Sequence, residues 1–221
     1  MKLQKLGGYA ALGVGLILVI MVIRGIVLSL SKSGIVTLND PVKQLDAIGT
    51  ASPIAAFAEY ALMLFVVIGV VAFVLALRER MQASAPNLMR AVVIAASIAC
   101  ALWIAYGLVG IVGVPSIADA KDYSAYRAVA AIMSGLSLGG DGALGWALLF
   151  VGGIALRNKG LPRILSCLCV IKGAVMILEF GKMPIVIAGV LLGIVVYPWL
   201  GIVLLRSTGS SETPSGSYSK A

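Results

Sequence analysis

Long apolar runs separated by short polar segments dominate the chain, without the two-residue alternation of strands or the one-faced period of soluble helices. A helix apolar on all sides is buried in protein or in lipid, and about 20 such residues cross a bilayer. Five runs approach or reach that length, at about 8–30, 55–77, 91–113, 128–156 and 185–205. A sixth, at about 164–180, is shorter and contains Lys172. Pro162-Arg163 before it and Gly181-Lys182-Met183-Pro184 after it are turn signals, and counting it as a span reconciles the basic ends on either side. The pattern predicts an all-α polytopic membrane protein, a bundle of six transmembrane helices over residues 1–206. The first run, from Gly7 to about Leu30, exceeds the apolar region of a cleavable leader, about 7–15 residues, so it predicts an uncleaved signal anchor. Residues 207–221, rich in serine, glycine and threonine, predict a disordered cytoplasmic tail.

The basic residues orient this arrangement. Lys2, Lys5, Arg78, Arg80, Arg90, Arg157, Lys159, Arg163, Arg206 and Lys220 fall on one side of the spans, and only Lys32, Lys43, Lys121, Arg127 and Lys182 on the other. Lysine and arginine accumulate in cytoplasmic segments, so both termini are expected inside. Spans two, four and six end alike, at Leu77-Arg78, Leu156-Arg157 and Leu205-Arg206; a duplicated hairpin and the charge bias itself both account for that. In the first external loop, from Ser31 to about Ile54, Asn39-Asp40-Pro41 is a turn starter able to begin a short helix.

Composition then names the solvent. The chain is 61% hydrophobic and 12% charged, against about 25% charged in a soluble domain, and no water-soluble fold hides that much apolar surface. The net charge of +8 is spread through the segments between spans, so nucleic acid is not an expected partner. Membrane lipid is, with other membrane subunits or a second copy as open alternatives. The chain has no histidine, which excludes bis-histidine haem, the usual iron, copper and zinc sites and a Ser-His-Asp triad. Cys100, Cys167 and Cys169 all lie in apolar runs, and the thiols of Cys167-Leu168-Cys169 point about 200° apart on a helix; they read as core residues. No phosphate-binding or dinucleotide-binding fingerprint occurs. No cofactor, metal or catalytic residue is expected, and nothing marks an enzyme.

Charges inside the spans are the candidate chemistry, since each costs about 2.5–3.5 kcal/mol at the bilayer centre. Arg24 and Glu59 fall in the outer leaflet and Glu179 at the outer boundary of span five, where snorkelling or interfacial pairing satisfies them. Asp141 and Lys172 lie near the middle of spans four and five. The short turn Asn158-Lys159-Gly160-Leu161-Pro162 makes those spans antiparallel neighbours, so Asp141 and Lys172 are expected to meet as a buried pair, either setting register or forming a transport site. Around Asp141, the run Ser134-Gly135-Leu136-Ser137-Leu138-Gly139-Gly140-Asp141-Gly142 either packs closely through Gly135 and Gly139 or breaks the helix, as in transporters. Gly189 and Gly193 in span six, and Gly107, Gly110 and Gly113 in span three, read as packing faces; Pro198 is expected to kink span six.

The stretch Gly145-Trp146-Ala147-Leu148-Leu149-Phe150-Val151-Gly152-Gly153-Ile154-Ala155-Leu156-Arg157, followed by Gly160-Leu161-Pro162-Arg163-Ile164-Leu165 and Gly173, and the closing Trp199-Leu200-Gly201-Ile202-Val203-Leu204-Leu205-Arg206, resembles a widespread prokaryotic six-span family catalogued only as a domain of unknown function. The resemblance implies six spans and a prokaryotic inner membrane, and carries over no catalytic residue. The functional expectation is a non-enzymatic accessory or scaffold subunit, or a binder of lipid or another small apolar molecule. The alternative is a small transporter or proton-coupled channel using Asp141 and Lys172; an enzyme acting on lipid is the weakest reading.

Overall fold

A computed structural model describes residues 2–30, 53–120, 122–179 and 183–207; the expected turn at Asn39-Asp40-Pro41 and the tail beyond Ser207 lie outside the described residues. Among these, all regular structure is helical: α1 (Lys2–Leu30), α2 (Pro53–Met81), α3 (Pro86–Leu108), a π-helical turn (Val109–Gly113), α4 (Val114–Ala120), α5 (Tyr123–Asn158), α6 (Arg163–Ile177) and α7 (Met183–Ser207). Five stretches are long and apolar enough to cross a membrane: Leu3–Arg24, Ala61–Met81, Pro86–Ile117, Tyr123–Asn158 and Ile185–Arg206. The sixth expected span is a helix of only 15 residues. At 1.5 Å per residue it reaches about 22 Å, short of a hydrocarbon core about 30 Å thick.

Local chemistry sets the helix ends. α3 starts on Pro86, whose missing N–H falls where a helix has no use for it. Asp122 caps α5, accepting from the backbone N–H groups of Ser124 and Ala125. The Ala125 N–H first, and the Ser124 hydroxyl next, hold the Asp122 carboxyl below the usual carboxylate range. Lys159, at φ 54°, takes the left-handed conformation that stops α5. α5 runs unbroken through Gly135–Gly142, so the glycine-rich run does not break span four. The irregular turn lies instead in span three, where the Val114 N–H donates to the Val109 carbonyl. Pro115 follows at once; a proline ring clashes with the carbonyl four residues back and removes a donor, and the widened turn accommodates both.

The helices pack in a closed ring, in the order α1, α2, α3, α5, α6, α7 and back to α1. Gly145 of α5 and Gly173 of α6 make the closest approach. A methyl group on Gly145 would sit 2.8 Å from the Gly173 carbonyl oxygen, so the two backbones meet where neither residue has a side chain. Gly152, seven residues on, does the same against the Ser166 carbonyl, a spacing that suits left-handed packing. The expected packing pair divides. Gly139 faces Leu102, but Gly135 has nothing within 4 Å of its missing methyl group, because it lies on an open face of α5.

One end of the ring gathers the basic residues. Gly8 of α1 lies against Leu205 of α7, Gly7 against Ala76 of α2, and Gly160 near Met81. Arg80 Nη1 donates to the Val203 carbonyl at 3.4 Å. The start of α1, the ends of α2, α5 and α7, and the starts of α3 and α6 therefore share one end. Above it the bundle is solid: Phe73, Leu77, Met89, Val92, Leu144, Leu148, Leu165, Leu200 and Leu204 are all fully buried. Of the three cysteines expected in the core, Cys100 and Cys169 are buried but Cys167 is exposed, because 167 and 169 lie on opposite helix faces.

Candidate functional site

The half of the ring away from the basic end encloses a cavity of about 290 Å³, with walls from all six ring helices. Apolar side chains make most of the wall, among them Val14 and Leu18 of α1, Met63, Val66 and Val70 of α2, Met176 of α6, and Val186 and Val190 of α7. Tyr197 of α7 lines it and lies against Phe73 of α2, ring centroids 5.6 Å apart and tilted at 52°. This cross-ring contact joins the solid half, so the cavity has a floor on the side of the basic end.

Among the described residues, three side chains that carry charge line the cavity: Asp141, Lys172 and Glu179. Lys172 is 5% exposed, which makes its amine one of the costliest groups in the fold to leave unsatisfied. Its Nζ donates to the Gly189 carbonyl oxygen of α7 at 2.7 Å. Depth explains this. Gly173 is level with Gly145, so Lys172 sits about one turn below Asp141 on its neighbour, and its long side chain rises into the cavity to reach α7. Asp141 attracts the ammonium through space. The expected pair thus shares a cavity, with the lysine's hydrogen bond going to backbone rather than to the carboxylate.

The Ser137 hydroxyl and the Trp103 indole N–H are the donors that neighbour the Asp141 carboxyl. Ser137 is one helical turn before Asp141 on the same face of α5. Trp103 reaches it because Gly140 leaves space: a methyl group there would lie 2.6 Å from the indole nitrogen. Glu179 follows the last turn of α6 and completes a triad with Lys172 and Asp141, interacting with both through space. A methyl group on Gly189 would be 3.4 Å from Glu179 Oε2 and 3.8 Å from Lys172 Nζ, so Gly189 marks where the α6 carboxylate and amine converge on α7. Gly193, one turn further on, lies beside Leu18, Tyr197 and the Lys172 side chain. These two glycines therefore border the charged cavity.

The structure thus brings together Asp141, Lys172 and Glu179, the last having been expected only at the outer boundary. Arg24 does not line the cavity; it is exposed near the end of α1. Glu59 lies on α2 about one turn before Met63, and its side chain is outside those described. The sequence does not single out Trp103 and Tyr197 as site residues, and Ser137 figures only in the glycine-rich run around Asp141. A tryptophan in mid-span, away from the headgroup level where the residue concentrates, was the available signal for the first. Among the described residues no group of three metal-ligating side chains forms. A floored, largely apolar cavity with a few convergent polar groups has the features common to small-molecule sites. Comparison with known proteins brings no match: no family model, no curated protein and no solved structure matches this chain.

Proposed function

We propose that this chain is a six-span integral membrane protein with both termini in the cytoplasm, which holds a small, mostly apolar molecule in the cavity of its outer half. It acts as a non-enzymatic binding or accessory subunit. The observation that carries the reading is the cavity itself: all six ring helices contribute to it, Asp141, Lys172 and Glu179 are gathered in one wall, and a packed floor closes it. The cytoplasmic assignment rests on the basic end, where Arg78, Arg80, Arg157 and Arg206 occupy last helical turns. In this reading α6 is the sixth, short span: it rises from that end to the depth of the cavity, and its early stop leaves Glu179 on the cavity wall.

Transport through Asp141 and Lys172 is the second reading, favoured by these two charged groups inside the bundle. The unbroken α5 and the packed layer below Tyr197 give it no second opening among the described residues. The direct test of binding is native purification followed by mass spectrometry of whatever is retained. The wild type is expected to hold a small molecule that Ser137→Phe, which fills the cavity, releases. A wild type that retains nothing the filled variant lacks would overturn the proposal.

A further inference from the structure

The cavity's charge and its neighbouring crevice specify the kind of molecule. Its described charged lining consists of two carboxyl groups, Asp141 and Glu179, and one amine, that of Lys172. With all three ionised these described groups sum to one net negative charge, which a low-dielectric surrounding penalises unless a further positive group joins them. A metal ion is poorly matched, because no cluster of three ligating side chains forms among the described residues. An organic cation is better matched: two carboxyl groups and the indole of Trp103 line the same cavity, and an ammonium group is attracted by carboxylates and by indole rings.

Size and continuity supply the rest. About 290 Å³ is near the lower limit for a small-molecule site, enough for a head group and too little for a whole lipid. A second crevice, about 40 Å³, lies between α2 and α3 and shares Met63 and Trp103 with the cavity. Its other walls include Leu64 and Leu108, which are 47% and 58% exposed and so face the hydrocarbon. Met63 and Trp103 therefore form the partition between the charged cavity and the lipid. The π-helical turn Val109–Gly113 begins directly after Leu108 at the crevice, and such turns occur frequently at functional sites.

Resting on the binding function proposed above, we infer that the ligand is an amphiphilic amine. Its protonated head sits between Asp141 and Glu179 and its hydrocarbon tail leaves between α2 and α3, past Met63 and Trp103. A zwitterionic head leaves the surplus charge in place, and an anionic one doubles it.

Photolabelling of the full-length protein in detergent micelles tests this. The probe is a dodecylamine carrying a diazirine in its chain; the alcohol and the alkyl sulfate of the same chain serve as comparisons, and peptide mass spectrometry locates the adducts. The amine is expected to label α2 and α3 around Met63 and Trp103, and unmodified dodecylamine to compete it away. Labelling by the alcohol should be weaker by about tenfold, the equivalent of one modest charge interaction, and the sulfate should not label there. Asp141→Asn should lower amine labelling about tenfold and Lys172→Met should raise it; opposite responses do not arise from misfolding. Equal labelling by amine and alcohol, or an amine signal indifferent to Asp141→Asn, overturns the amine assignment while leaving the cavity a binding site. No labelling at the cavity by any of the three overturns the amine assignment and the binding function together.

Discussion

Lys172 depends on two different kinds of partner, a backbone carbonyl at 2.7 Å and two carboxyl groups that act through space. Removing the amine leaves Asp141 and Glu179 facing each other in apolar surroundings, and uncompensated buried charge is more damaging than a lost contact. Lys172→Met is therefore expected to lower stability by about 3 kcal/mol, and the double variant with Asp141→Asn to recover on the order of 1 kcal/mol relative to additivity. Unfolding of the four proteins of the cycle in one detergent measures this, and strict additivity would show that the two groups do not interact. The sequence made Asp141 and Lys172 visible because an ionisable residue in an apolar run is rare. It left Lys172's true hydrogen-bond partner hidden, since a backbone carbonyl carries no residue signature. Gly140 was hidden too: its role is to leave space for a Trp103 far away in the chain, and glycine in a membrane helix has many causes.

Among the elements, the pairing of α5 and α6 was legible from the short turn at Asn158–Pro162, and the alternation of apolar runs placed every ring helix. Which glycines pack was not legible. Gly135 and Gly139 have the spacing of a common contact motif, yet the backbones meet at Gly145, Gly152 and Gly173, because the ring turns that other face of α5 toward α6. A methyl group on Gly173 would lie 2.8 Å from the Leu149 backbone nitrogen, and backbone cannot move aside as a side chain does. Gly173→Ala is expected to destabilise the protein by about 1–3 kcal/mol. Gly135→Ala, in open space, should be neutral or stabilise by up to about 1 kcal/mol through helix propensity. Thermal unfolding of the two variants side by side checks the ranking, and equal effects would contradict the observed packing. The π-helical turn before Pro115 escaped the sequence reading because a proline inside an apolar run signals a disturbed helix without saying which distortion relieves it. The length of α6 escaped for a related reason: hydropathy shows where a helix could continue, and the turn at Leu178 and Glu179 decides where it stops.

The whole molecule is a ring divided into a solid half at the basic end and a hollow half beyond it. Apolar composition made a helical bundle with helices long and apolar enough to cross a membrane legible from the start, whereas the closure of the ring comes from tertiary packing that no single run encodes. That division separates binding from transport. On the proposed binding function, a blind cavity would take its ligand from the hollow half and pass nothing on, while a transporter must expose Asp141 to both sides in turn. The most direct measurement is the side from which the cavity can be reached. With Cys100, Cys167 and Cys169 replaced, Ser137→Cys places one thiol beside Asp141, and a membrane-impermeant thiol reagent is applied to either face of oriented vesicles. Reaction only from the face opposite the termini is the predicted result; reaction from the face that carries the termini, or from neither face, contradicts it.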